Sequence, residues 1–255
     1  MITHLLQPLV CPRFISDARY RDGHLRVINA LPARKVLGLH TPEMKAVART
    51  LFATDGAAYI KAFEQEASHA LCYEETVIWG LLINRCKCSL DVRLQMLEKY
   101  IPVMDNWAVC DGFCASAKWA ARADKELLWQ WLQRWFASPR EFEVRFAVVF
   151  SMCYLLQEPW VKTVFSRIDK IDFGIIKSEY RSTKGKPKIP QEGSVQGAEP
   201  YYVRMAVAWL LATALAKHPS LTREFVAASH LPADVVKLYV RKARESFRTR
   251  SVPAL

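Results

Sequence analysis

Apolar residues recur three and four positions apart in almost every stretch after Pro32, while glycine is scarce and alternating β-branched runs are nearly absent. That spacing is the signature of helices with one buried face. Thr41-Pro42 opens one, with Thr41 in the N-cap position, Pro42 in the first turn and a stripe of Met44, Val47, Ala48 and Leu51. Asp91, Val92, Leu94, Met96, Leu97 and Tyr100 outline a second, stopped by Pro102. Ser138-Pro139 begins a third, carrying Phe142, Phe146, Val149 and Phe150. Helix pairs then start near Pro42, Glu74, Trp107, Glu141, Tyr201 and Ala233, about 32 to 34 residues apart except for the step from Glu141 to Tyr201. A fixed period of this length predicts stacked helix pairs: an all-α, superhelical solenoid.

The exceptional step contains residues 177–199, rich in Lys, Gly, Pro and Ser and poor in apolar residues. It reads as a mobile loop inserted into one domain spanning 1–255, because removing it restores the period. The first 31 residues are less regular and support one helix.

Composition narrows the partners. Thirty-six Lys and Arg against 25 Asp and Glu give a net charge of +11, which suits a polyanion. Lys237, Arg241, Lys242, Arg244, Arg248 and Arg250 crowd the C-terminal segment, and Lys177, Arg181, Lys184, Lys186 and Lys188 make the insertion basic. A charge run is usually a solvated face, but two in a repeat protein favour phosphate contacts. The seven cysteines show no C-x-x-C pairing and the six histidines no ligand spacing, so the expectation is free thiols and no metal. No apolar run approaches the roughly 18 residues that span a bilayer. The N-terminal stretch has no basic leader and is interrupted by Pro8 and Pro12. The expected location is therefore the cytoplasm, on the nucleoid when bound to DNA, with no membrane partner.

Three stretches carry a family resemblance. They are Lys35-Val36-Leu37-Gly38-Leu39-His40-Thr41-Pro42-Glu43-Met44-Lys45; the run from Tyr100-Ile101-Pro102 through Asp105-Asn106-Trp107 to Asp111-Gly112-Phe113-Cys114; and Tyr201-Tyr202-Val203-Arg204 through Trp209-Leu210-Leu211, followed by Lys242 to Arg248. Together they resemble the AlkD-type DNA alkylation repair glycosylases, built from HEAT-like helical repeats, and the order fits from about Lys35 onward. The middle stretch is the most specific. His40 departs from the family pattern, which favours Arg there.

The resemblance implies a concave basic face and a monomeric, cofactor-free enzyme. Such an enzyme hydrolyses the N-glycosidic bond of cationic N3- or N7-alkylpurines in duplex DNA. It also implies a catalytic set of Asp111, Trp107, Arg145 and Trp209. The chemistry suits those side chains. As the alkylated base leaves, positive charge moves to the deoxyribose, where an anion and a positioned water are needed. A carboxylate about 4 Å from that charge is worth roughly 4 kcal/mol at an effective dielectric of 20. Trp107 lies one turn before Asp111 on the same helical face and can offer its ring to the developing cation. Arg145 could clamp a phosphate, and Trp209 could form a second aromatic wall. Lys45, Lys118, Arg204, Arg241, Lys242, Arg244 and Arg248 are the candidate DNA contacts.

Each residue also has a plainer use: Asp111 as a cap or local ion pair, Trp209 as core, Arg145 as a surface ion-pair partner. Glu74 and Glu75 suit the positive end of the helix they open. Two other functions stay open alongside the glycosylase. One is a nucleic-acid-binding repeat protein without catalysis, and the other a protein-binding scaffold.

Overall fold

A computed structural model describes residues 1–66, 70–183, 186–188 and 199–255, with residues 181–183 and 186–188 described by their backbone. The regular elements among these residues are helices, apart from one short antiparallel strand pair. The chain divides into two compact units, Met1–Ala123 and Asp124–Leu255.

The first unit holds α1 (Thr3–Leu6), α2 (Pro12–Ser16), α3 (Ala18–Ile28), α4 (Thr41–Gln65), α5 (Tyr73–Arg85), α6 (Leu90–Tyr100) and α7 (Trp107–Ser116). Three helices thus occupy the first 31 residues, where the sequence supported one. Asp17 caps α3 by accepting from the Tyr20 N–H at 3.0 Å, a short-range signal. Helix α4 starts at Thr41, so His40 rather than Thr41 takes the capping position, and Pro42 lies in the first turn. Helix α4 is broken at Asp55, whose backbone is non-helical. The Asp55 carboxylate accepts from the Ala58 N–H at 3.0 Å and caps the second half. Pro102 sits in a 3-10 turn, Ile101–Val103, directly after α6.

The second unit holds α8 (Lys125–Phe136), α9 (Glu141–Tyr154), α10 (Trp160–Ile168), α11 (Tyr201–Lys217), α12 (Pro219–Ala228) and α13 (Ala233–Glu245). Strands β1 (Arg181–Thr183) and β2 (Lys186–Lys188) pair antiparallel, with Arg181 opposite Lys188. The insertion was expected to be loop throughout, and these strands correct that. Its residues 184–185 and 189–198 lie outside the described residues.

In each unit successive helices stack in the manner of a helical solenoid. Helix α5 packs between α4 and α7 in the first, and α11 between α9 and α13 in the second. The central helices α5 and α9 are buried on most sides. Aromatic rings knit the first core: Phe63 stacks on Trp79 at 5.9 Å, and Tyr100 meets Trp79 at 5.1 Å and Phe113 at 5.2 Å. In the second, Trp131 meets Trp135 and Phe146, and Phe142 meets Tyr202. The tryptophans of α8 thus pack between helices, Trp131 against Phe146 of α9 and Trp129 against Trp160 of α10.

A helix buried on most sides can hold a charge only if that charge is satisfied. Glu74, fully buried in α5, accepts the backbone N–H groups of Leu37, Gly38 and Leu39 at 2.8 to 3.3 Å. Gly38 has φ +94°, and a Cβ there would fall 2.2 Å from the Phe14 ring. Only glycine fits that turn. Glu75 accepts from the Ile2 N–H at 2.6 Å and the Cys72 N–H at 3.1 Å. These acids therefore do more than complement a helix end: they hold neighbouring segments by their backbone.

Candidate functional site

The segment Asp105-Asn106-Trp107 fastens α7 to its surroundings. Asp105 pairs with Arg34 at 2.8 Å. Asn106 caps α7, its side-chain oxygen accepting from the Ala108 N–H at 2.8 Å, while its amide donates to the Ile28 carbonyl at 2.6 Å. The indole Nε1 of Trp107 donates to the Val27 carbonyl at 3.2 Å. Carbonyls at a helix C-terminus lack intrahelical partners, so α3 offers the acceptors that orient this ring.

One turn further, Asp111 is half-exposed, as is Trp107. Val109, Cys110, Phe113 and Cys114 form the buried side of α7. The open side carries Ala108, Asp111, Gly112 and Ala115. A Cβ at Gly112 would meet nothing within 4 Å. The acid thus shares with Trp107 a helix face whose other members, Ala108, Gly112 and Ala115, have small side chains.

Arg145 is placed differently from both sequence readings. It is buried, 4% exposed, on the central helix α9. Its guanidinium donates to the Tyr202 carbonyl at 2.6 Å and lies over the Tyr202 ring at 5.6 Å. Glu141, one turn earlier on α9, accepts the Tyr202 N–H at 2.6 Å and a hydrogen bond from the Ser178 hydroxyl. The two α9 side chains thereby grip both backbone groups of one residue in the first turn of α11. A phosphate clamp at Arg145 is corrected on this ground: the guanidinium is spent inside the core, holding α11. Burial pushes the Glu141 carboxyl up to about 7, against the hydrogen bonds from Ser178 and Tyr202 and the nearby Arg145.

Trp209 lies on the outer face of α11, 38% exposed, rather than in the core. Arg204 is tied to Asp234 of α13 and lies over the Phe173 ring at 5.3 Å, so it stitches helices together instead of standing free. Lys45 and Lys118 are exposed. Arg241 and Lys242 share Glu245 at 3.6 and 2.9 Å, exposed pairs that contribute little to stability and yield readily to a stronger anion. Arg244 and Arg248 are exposed without an ion pair among the described residues. His40 meets the Tyr20 hydroxyl at 2.7 Å through Nε2.

Sequence reasoning missed Glu141 as a clamp, Lys217, and Phe247, which is 80% exposed. A lone large aromatic amid arginines was the available signal for the last. Among the described residues, no group of three or more His, Cys, Asp or Glu is placed to hold a metal ion. Among the same residues, no helix is long and apolar enough to cross a membrane.

The model of the family described as DNA alkylation repair enzyme matches residues 20–171. That span contains Trp107, Asp111 and Arg145 and stops short of Trp209. Neither the curated proteins nor the solved structures yield a match.

Proposed function

The chain belongs to the DNA alkylation repair enzyme family, and on that premise we propose that it is a DNA glycosylase. Its substrates are cationic N3- and N7-alkylpurines in duplex DNA. Asp111 supplies negative charge to the deoxyribose as the base departs and orients the attacking water. Trp107 presents its ring beside the acid, with its edge anchored at Val27. A contribution of roughly 4 kcal/mol from the carboxylate corresponds to a several-hundredfold to thousandfold rate gain. Lys45, Lys118, Arg244 and Arg248, all exposed, suit phosphate contacts.

The observation that carries this reading is the placement of Asp111: half-exposed, among Ala108, Gly112 and Ala115, one turn after an anchored indole. The test is release of N7-methylguanine from methylated duplex DNA. Wild type should release the base and Asp111→Asn should release it several hundredfold more slowly. Equal release by both proteins would remove Asp111 from the chemistry.

A second reading, DNA binding without base release, draws on the burial of Arg145, which removes one member of the catalytic set that the family resemblance implied. The same assay separates the two, because a pure binder retains methylated duplex without releasing any base.

A further inference from the structure

Helices α8 and α10 lie side by side in the second unit, and their contacts fix how they run. Trp129 of α8 meets Trp160 at the start of α10, with ring centroids 6.1 Å apart. Further along both helices, the Arg167 Nε donates to the Gln133 side-chain oxygen at 2.9 Å, and its guanidinium lies over the Phe136 ring at 4.9 Å. The two helices therefore run in the same direction. Between them is a groove of about 400 Å³, lined by Trp129, Lys162, Thr163, Ser166, Arg167 and Lys170. Sites for small organic ligands measure roughly 300 to 1,000 Å³. The groove belongs to the layer of α8, α10 and α12, because Phe165 of α10 stacks on Phe225 of α12 at 4.6 Å. Arg145 and Trp209 stand instead on α9 and α11, which pack against each other.

The charge in this groove is unbalanced. Three cations line it, and no carboxylate among the described residues does. Asp169, next to Lys170 in the chain, is turned to His230, accepting its backbone N–H at 2.7 Å and meeting its ring Nδ1 at 3.1 Å. Arg167 is half-buried, and its side-chain partner Gln133 is neutral. The Gln133 amide nitrogen donates to the Trp129 carbonyl at 2.9 Å, which keeps its oxygen toward Arg167. Burial lowers the pKa of this guanidinium, and no ion pair among the described residues offsets that. A partly desolvated charge without a counter-ion is costly, and an oxyanion beside it would relieve the cost. The ends of the groove differ as well. Trp129 sits by the start of α10, and Arg167 lies about 10 Å along the helix from Trp160. The occupant that answers this layout carries a flat ring at one end and phosphates at the other.

We propose that this groove binds a nucleoside 5′-diphosphate, its base against Trp129 and its phosphates held by Lys162, Arg167 and Lys170. Such a ligand carries about three negative charges at neutral pH, which the three cations match. The Thr163 and Ser166 hydroxyls add donors for the remaining oxygens. The site goes beyond base release and does not rest on it.

The test is isothermal titration calorimetry of the whole chain with ADP, adenosine and inorganic pyrophosphate. ADP should bind with a Kd below about 0.1 mM. Pyrophosphate, which lacks the base, should bind about tenfold more weakly. Adenosine, which lacks the phosphates, should bind about a hundredfold more weakly than ADP. Lys162→Gln combined with Lys170→Gln should weaken ADP binding by about tenfold or more with unchanged thermal melting, since both lysines are exposed. Trp129→Ala should bring ADP down to the affinity of pyrophosphate and leave pyrophosphate itself unaffected. Trp129 also packs against Trp160, so the lysine pair and the wild-type comparison decide the matter if that variant does not fold.

No binding of ADP, or equal affinity for ADP and pyrophosphate, overturns the proposal. So does a serine-phosphorylated peptide that binds as tightly as ADP. Displacement of ADP by duplex DNA at the Kd of that duplex also overturns it, because the groove would then be part of the DNA-binding surface. Failure here is separable from failure at Asp111. The double lysine variant should keep wild-type base release from methylated duplex DNA, and Asp111→Asn should keep wild-type affinity for ADP.

Discussion

Each unit brings an indole to its surface, and each treats it differently. In Met1–Ala123, Trp107 is held by its edge on the Val27 carbonyl and stands one turn from Asp111. In Asp124–Leu255, Trp209 faces an open groove whose polar neighbours are mainly cations. A fixed ring beside an acid suits a centre that becomes positive during a reaction, because a pre-set charge needs no rearrangement as the bond breaks. Two residues of one type thus meet different surroundings: one ring is held by its edge, and the other is open.

The scaffolds beneath them show a parallel contrast. Both units place a buried glutamate in the first turn of a central helix. Glu74 accepts three consecutive backbone N–H groups. Glu141 joins the start of the insertion to α11, taking one backbone N–H from Tyr202 and one hydroxyl from Ser178. The largest expected effect tests the first of these. Glu74→Ala leaves the N–H groups of Leu37, Gly38 and Leu39 buried without an acceptor, and should lower unfolding free energy by about 3 to 5 kcal/mol. Urea denaturation checks this; a loss under about 1 kcal/mol would mean that water replaces the carboxylate at little cost.

Glu141 should give a pH-dependent effect of slightly smaller size. Its folded-state pKa of about 7 is raised from 4.5, so the folded protein binds the extra proton between those values. The resulting stability is fully present below about pH 4.5 and is lost as pH rises through about 7. Between about pH 5 and pH 8, wild type should lose on the order of 3 kcal/mol relative to Glu141→Gln. Parallel pH profiles for the two proteins would show that this carboxyl does not titrate in that range.

Two smaller substitutions sharpen the contrast between the indoles. Asn106→Ala removes a cap and the hydrogen bond to Ile28, and should cost about 1 to 2 kcal/mol in thermal or urea unfolding. Trp107→Phe removes the hydrogen bond to Val27 and should cost about 1 kcal/mol, whereas Trp209→Phe should cost nearly nothing. Equal losses at 107 and 209 would erase the distinction between a fixed and an open ring.

The repeat framework was legible in the sequence because helix starts are local. Tyr73, Trp107, Glu141, Tyr201 and Ala233 begin helices at or within a residue of the positions that the period gave. Other features depend on residues distant in the chain. Arg145 read as a phosphate clamp or a surface ion-pair partner, and it donates instead to a carbonyl 57 positions away, which no spacing rule reports. Strands β1 and β2 are built from Arg, Ser, Thr, Lys and Pro, without the apolar alternation that marks a strand. The break at Asp55 was likewise hidden, because the apolar stripe continues past it. At the candidate site, the residue types on α7 were legible, whereas the anchoring of Trp107 at Val27, 80 positions earlier, was not.

The central claim is that the charge at Asp111 lowers the barrier to base departure without tightening DNA binding. Single-turnover release of N7-methylguanine from duplex DNA, measured with Kd for the same duplex, tests it directly. Asp111→Asn should slow release by several hundredfold while leaving Kd within about twofold. Release at the wild-type rate, or a slowing matched by an equal loss of affinity, would contradict it.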